Sequence, residues 1–296
     1  RGFFHENIEV MLSTEVISVD GDAGNFEVSV RQEPTWIDSD LCMGCGDCVS
    51  ACPVEIPDTF NTNLDTRKAI FLPVPHNVSN AYKIDMEACT LCGECVQACP
   101  TDAISLPTEK LEIDEKIINV GAVILSGGTS YFDPKTGKNT YGYGDLPDVV
   151  TSREYERLIS GTGPQQGQLL RPSNGEPIRK IAWFQCVGSR DLQTNSDFCS
   201  SVCCMHAIKE ARLAKDRSQG GIQTTIFYMD MRTFGKSFQE YRDQAETEYG
   251  VEFVRSRVHS VTENTADHTL HINYLDHEGK NREESYDMIV LSVGQR

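Results

Sequence analysis

Residues 42–53 read CMGCGDCVSACP and residues 89–100 read CTLCGECVQACP. Each run carries the spacing C-x₂-C-x₂-C-x₃-C-P, with which bacterial-type proteins hold a pair of [4Fe–4S] clusters. The spacing has a physical cause. Three cysteines close together wrap a tight loop around one cubane and bind three of its irons. The fourth sits on the following turn, faces away and reaches the other cubane. The pattern therefore assigns one cluster to Cys42, Cys45, Cys48 and Cys99, and a second to Cys89, Cys92, Cys95 and Cys52. Zinc and structural disulfides are the competing uses of cysteine. Zinc sites usually combine two C-x₂-C pairs, and two full copies of the longer run weigh against both alternatives. The pattern implies electron transfer.

Working outward, 296 residues suggest about two domains. A hydrophobic fraction of 39% suits an ordinary globular chain. The formal net charge of −17 argues against nucleic acid or an anionic membrane as partner, since both are polyanions. No apolar run approaches the ~20 residues that span a bilayer; the best, 120–125, is far too short. No signal peptide is apparent, and cluster-ligand spacing among the twelve cysteines suits a reducing compartment, so a cytoplasmic location is expected. The chain opens at Arg1 in strand-like sequence and stops at Arg296 just after an apolar strand. It is therefore expected to be an internal piece of a longer polypeptide.

Residues 8–12, 15–19 and 26–30 read as a small β-meander, with 21–25 supplying a turn. The two cysteine runs make an internal repeat within 36–107, flanked by short strands at 82–85 and 103–106. The connector between them holds Pro57, Pro73 and Pro75 and is predicted as a draped, ordered loop. Next come strands at 112–120 and 121–125, the second buried, ending at Ser126-Gly127-Gly128. Helices are predicted at 152–159, capped by Thr151, at 203–215 and at 237–248. Strands are predicted at 181–184, 224–228, 251–254, 258–262, 268–274, 282–286 and 287–293. Alternating strands and helices are an α/β rhythm. Strand-rich sequence on both sides marks 36–107 as an insertion. The expected division is 1–35 and 108–175 in one α/β domain, 36–107 inserted, and 176–296 as a second α/β half.

Cys186, Cys199, Cys203 and Cys204 form a third set at a strand-to-helix turn, where a dinucleotide fold normally has its Gly-rich phosphate loop. Gly188 stands alone there. From the residues alone three readings stay open: a third iron–sulfur cluster beside a helix N-terminus, a strained vicinal disulfide between Cys203 and Cys204, or inert core cysteines.

The segments CMGCGDCVSACPVEIPDTFN, RKAIFLPVPHNVSNAYKID, CTLCGECVQACPTDAI, FQCVGSR, FCSSVCCMHAIKEA and FYMDMRTFGK together resemble the A-type subunits of heterodisulfide reductase. The resemblance covers essentially the whole chain. It implies an α/β, thioredoxin-reductase-like flavoprotein, here incomplete, with an inserted α+β two-cluster ferredoxin domain. It further implies FAD, and an additional [4Fe–4S] cluster on the positions of Cys186, Cys199, Cys203 and Cys204. The implied activity is that of an oxidoreductase acting on sulfur groups, with electron pairs split at the flavin. The implied partners are B- and C-like subunits, a hydrogenase- or dehydrogenase-type electron donor, and ferredoxin. Ser126, Gly127 and Gly128 resemble the family's strand-end glycine motif and are the candidate flavin contacts. Lys209 lies five residues after Cys204, so that both can approach one side of the helix start; it is the candidate to face the flavin ring. The family's NAD-binding role is not carried over, because the Gly-rich loop is missing. The competing reading is a non-catalytic, polyferredoxin-like module that only wires partners together.

Overall fold

The computed structural model describes residues 5–75, 81–107 and 114–296, which form two compact units, 1–127 and 128–296. In the first, β1 (Thr14–Asp22) and β2 (Asn25–Gln32) make a hairpin whose turn uses Gly24 in the left-handed region, φ +94°. Then follow α1 (Asp47–Ala51), β3 (Glu55–Pro57), β4 (Thr66–Lys68), β5 (Ile70–Phe71), β6 (Lys83–Ile84), α2 (Glu94–Ala98) and β7 (Asp114–Val120). β2 pairs antiparallel with both β1 and β7. The whole cysteine-bearing segment thus leaves one strand and returns on its neighbour. The connector between the cysteine runs is more regular than a draped loop: β3 pairs with β4 and β5 with β6.

Several expectations fail in this unit for one reason, the lack of a pairing partner. Residues 8–12 are not a strand; Ile8, Val10 and Leu12 are 49%, 42% and 46% exposed, and Ser13 at φ 52° turns the chain out of the extended region. Residues 121–125 are not a strand either, and Ile124 and Leu125 stand 90% and 87% exposed. A buried parallel strand needs neighbours on both edges, and among the described residues none lies alongside. At 103–106 only one bridge forms, Ile37 to Ile104. Residues 112 and 113 of the strand predicted at 112–120 lie outside the described residues.

The second unit contains β8 (Val149–Thr151), α3 (Ser152–Leu158), β9 (Lys180–Val187), α4 (Cys203–Arg217), β10 (Gln223–Tyr228), α5 (Phe238–Thr247) and β11 (Glu252–Arg255). β12 (Val261–Glu263), β13 (Leu270–Leu275), β14 (Asn281–Tyr286) and β15 (Met288–Val293) complete it. Five parallel strands run in the order β11-β10-β9-β15-β8, and β12-β13-β14 form an antiparallel meander. Strands covered on both faces read as continuous apolar runs, and all six residues of β15 are buried. Alternation along β9 sends Phe184 into a cluster with Phe227, Tyr274 and Tyr286, and Trp183 to the opposite face against Tyr155. α3 starts with a full capping box: the Thr151 hydroxyl accepts from Glu154 N–H, and the Glu154 carboxylate accepts from Thr151 N–H. From β9 the chain runs one way to β10 and β11, while β15 returns to the opposite edge of β9. Open α/β sheets form a crevice at the carboxyl ends of strands where the order switches, and Cys186 lies near that end of β9. No helix among the described residues is long and apolar enough to cross a membrane.

Candidate metal centres

The two cysteine runs fold alike. Each forms a short helix opened by a glycine in the left-handed region, Gly46 at φ 87° and Gly93 at φ 80°. That conformation suits glycine because it lacks a Cβ. Cys48 and Cys95 point inward from α1 and α2 and are buried. Cys52 and Cys99 are the first extended residues after each helix, so their side chains leave the loop that precedes them.

The consequence is an exchange. One pocket is lined by Cys42, Cys45, Cys48 and Cys99. A second is lined by Cys52, Cys89, Cys92 and Cys95. Ile37, Tyr82 and Ala103 wall the first; Ile70, Ile84 and Leu106 wall the second. Burial pushes the Cys48 thiol up to about 11, with the neighbouring Cys42 and Cys45 adding to the rise. Burial, then Cys89 and Cys92, raises Cys95. At Cys99 burial is outweighed by hydrogen bonds to sulfur from the backbone and hydroxyl of Thr101 and from the backbone of Ala103, and the thiol is lowered. Leu91 N–H donates to Cys89 Sγ at 3.4 Å.

The third set assembles at the sheet. Cys186, the penultimate residue of β9, has φ 63°, a costly conformation for a side-chain-bearing residue. Cys203 and Cys204 are the first two residues of α4, buried at 3% and 5% exposure, and Cys199 lies in the loop before them. Burial first, then the other three sulfurs, pushes Cys203 up to about 12. Burial likewise lifts Cys204 to about 11, with Cys186 and Cys199 adding to it, and burial raises Cys186. Thiols that oppose one another's ionisation in this way suit a shared cationic centre, which stabilises the thiolates together.

Sequence reasoning did not single out the cations around this set. Arg190 and Arg232 both bind the Asp230 carboxylate, Arg232 Nε at 3.2 Å. Arg190 reaches Cys186, and Arg232 acts on Cys199. The signal was present in FYMDMR, whose Asp230 and Arg232 carry the arrangement. Gly188 is glycine for packing: a Cβ there would lie 2.0 Å from the Phe132 ring.

The donor chemistry fits iron–sulfur cubanes better than single ions. A tetrahedral zinc site with bonds of about 2.3 Å holds its sulfurs about 3.8 Å apart. Among the described residues, three or more metal-ligating side chains with all donor atoms within 4.8 Å occur only at Glu156, His206 and Glu210, not at the cysteines. All twelve cysteines are free thiols, Cys203 and Cys204 included.

Lys209 and the glycine motif are placed differently from the cysteines. Five positions along a helix turn about 500°, leaving Cys204 and Lys209 about 140° apart, so they do not share a helix face as expected. Cys204 is buried, whereas Lys209 is 52% exposed with its ammonium 2.6 Å from Glu156. Gly127 and Gly128 follow no strand, and a Cβ on either would meet nothing within 4 Å.

Much of the chain has known relatives. Two models described as 4Fe-4S dicluster domain match residues 41–103 and, overlapping them, 81–144. Over 291 residues, 98% of this chain, it is 44% identical to an iron-sulfur A-type subunit of CoB–CoM heterodisulfide reductase, the second such form of Methanopyrus kandleri. It is 41% identical over 291 residues to the A-type subunit of the H(2):CoB-CoM heterodisulfide,ferredoxin reductase of Methanothermobacter thermautotrophicus, again 98% of this chain. With the A-type subunit of the ferredoxin:CoB-CoM heterodisulfide reductase of Methanosarcina mazei it shares 38% identity over 293 residues, also 98% of this chain. The chain spans 44%, 43% and 36% of the lengths of these three relatives. Across nearly all of its own length, then, the chain is similar to the A-type subunits of heterodisulfide reductase.

Proposed function

We propose that this chain is the electron-relay portion of an iron–sulfur flavoprotein subunit in a heterodisulfide-reductase-like complex. The observation that carries the reading is the grouping of cysteines in fours: Cys42, Cys45, Cys48 and Cys99 around one cavity, and Cys52, Cys89, Cys92 and Cys95 around another. Cys186, Cys199, Cys203 and Cys204 act on one another electrostatically at the sheet. The first two groups are read as ligands of the ferredoxin-type [4Fe–4S] clusters and the last as ligands of the additional one. Iron–sulfur centres supply one-electron steps across roughly −700 to +450 mV. Within this chain, backbone N–H groups and Arg190 and Arg232 orient the thiolates and moderate their charge, and the apolar walls of the cavities exclude water.

Likeness to these relatives supports FAD in the longer protein, a thioredoxin-reductase-like arrangement of its α/β halves, and electron bifurcation between ferredoxin and a disulfide-reducing branch. It also supports B- and C-like subunits and a hydrogenase- or dehydrogenase-type donor as partners. Ser126, Gly127 and Gly128 offer open backbone for the flavin. Lys209 offers a half-exposed ammonium that Glu156 holds with a surface ion pair, a contact weak enough to be exchanged. Iron, acid-labile sulfide and flavin content of the full-length protein test the reading. A segment contributing about twelve irons, with flavin, fits it; about eight irons and no flavin fits a polyferredoxin-like module instead. In Cys203→Ser, iron should fall by about one cubane while the ferredoxin-type clusters survive. Unchanged iron with a vicinal disulfide trapped at Cys204 would defeat the third-cluster assignment.

A further inference from the structure

Beside the cysteines, α3 and α4 bring together three ligating side chains that are not among the proposed cluster ligands. Glu156 comes from α3; His206 and Glu210 stand one turn apart on α4. Glu156 Oε1 is 2.8 Å from His206 Nε2, Glu210 Oε1 is 3.6 Å from the same nitrogen, and all three donors lie within 4.8 Å of one another. Metal bonds of about 2.1 Å put neighbouring donors about 3.0 to 3.4 Å apart, so an ion would require only small side-chain shifts.

A second observation points the same way. Glu210 is fully buried. Trp183 Nε1 donates to its Oε2 at 2.8 Å, but Oε1, which faces His206, has no hydrogen-bond partner. The buried hydroxyl of Tyr155 is likewise unpartnered and is influenced by the Glu210 charge. Protein interiors rarely leave such atoms unmatched.

We propose that Glu156, His206 and Glu210 form a binding site for one divalent first-row transition ion. One imidazole and two carboxylates suit Mn²⁺, Fe²⁺ or Zn²⁺, whereas soft thiolates favour the iron–sulfur chemistry nearby. Two groups compete for the same atoms. Lys209 sits 2.6 Å from Glu156 Oε1, but its side chain is 52% exposed and is free to swing into water. When the ion arrives, His206 Nε2, within 2.8 Å of Glu156, and the Glu210 carboxyl each give up a proton to solvent, so that Glu210 binds as the carboxylate. Water fills the remaining coordination positions.

The test uses the full-length, cluster-loaded protein, oxidised and anaerobic, titrated with Mn²⁺. This hard ion prefers oxygen and nitrogen to sulfur, and loss of its free-ion EPR signal counts bound metal. Glu210→Gln keeps an acceptor for Trp183 and removes a ligand charge. It should weaken one site by at least about tenfold while iron and sulfide content stay constant. Glu156→Gln, at a half-exposed position, should do the same with little risk to folding. Lys209→Ala removes the competitor and should tighten that site. Absence of Mn²⁺ binding in the wild type, affinity unchanged in both glutamine variants, or failure of Lys209→Ala to tighten it would overturn the proposal. These readouts do not depend on electron transfer, so they fail or succeed independently of the relay function.

Discussion

The ferredoxin-type segment and the α/β unit both gather cysteines in fours, yet they stand in different relation to them. In the first, the hydrophobic cluster is small: Ile37, Ile70, Ala103 and Ile104 with Cys48 and Cys95, and Cys42, Cys52 and Cys99 packed against it. The ligands are themselves the core. In the α/β unit a large cluster built on Phe184, Phe227, Ile272, Tyr286 and Leu291 contains no cysteine, and Cys203 and Cys204 enter at the start of a helix that the sheet already supports. The difference teaches that the same ligand chemistry can be either a condition of folding or an addition to a finished fold. Small modules that cannot bury enough apolar surface take folding energy from their metal; larger ones do not need to.

The sharpest way to break this comparison is to remove the iron. Chelation under reducing conditions should abolish hydrogen-exchange protection across α1, α2 and the strands between them, while β9 and β15 keep most of theirs. Simultaneous loss in both units would show that the α/β core also depends on its cysteines. Next in size is the exchange of fourth ligands. Cys52→Ala should cost about four irons from the cluster on Cys89, Cys92 and Cys95, as read by iron content and EPR. Loss confined to the cluster on Cys42, Cys45 and Cys48 would contradict the crossing.

The α/β unit should instead be sensitive at buried charge. Arg171 and Asp148 are 4% and 2% exposed and 2.7 Å apart, and Asp148 also accepts from Ser173. Asp148→Ala should cost about 3–5 kcal/mol in urea unfolding, because it strands a buried guanidinium; cluster content in the ferredoxin-type segment should not change. A smaller effect is expected from pH. Burial, opposed by His206 and the Trp183 hydrogen bond, pushes Glu210 from 4.5 up to about 8. Between those values the native state holds a proton that the unfolded chain lacks, so this contribution to stability is complete below 4.5 and declines as pH rises toward 8. Without added divalent cation, Glu210→Gln should flatten that decline, as measured by urea midpoints at about pH 5 and about pH 8. The smallest change is at the capping box: Thr151→Ala should cost about 1 kcal/mol, measured the same way.

Local chemistry was legible in the sequence wherever a few neighbouring residues determine it. The cysteine spacing dictated two tight loops, each followed by a residue that leaves toward the other loop, and the structure has both. The Thr151 cap and the apolar runs of β9, β10 and β15 were readable because capping and burial on both faces leave a direct mark on composition. Pairing was not readable. Residues 8–12 and 121–125 have strand-like composition but no strand beside them, and so stay exposed. The left-handed turn at Cys186, the arginines gathered by Asp230, and the meeting of Glu156 with His206 and Glu210 depend on chain segments far apart in sequence. Spacing and periodicity describe one segment at a time. Which strand finds a neighbour, and which charges meet in the interior, is set only when separate segments compete to exclude water from the same space.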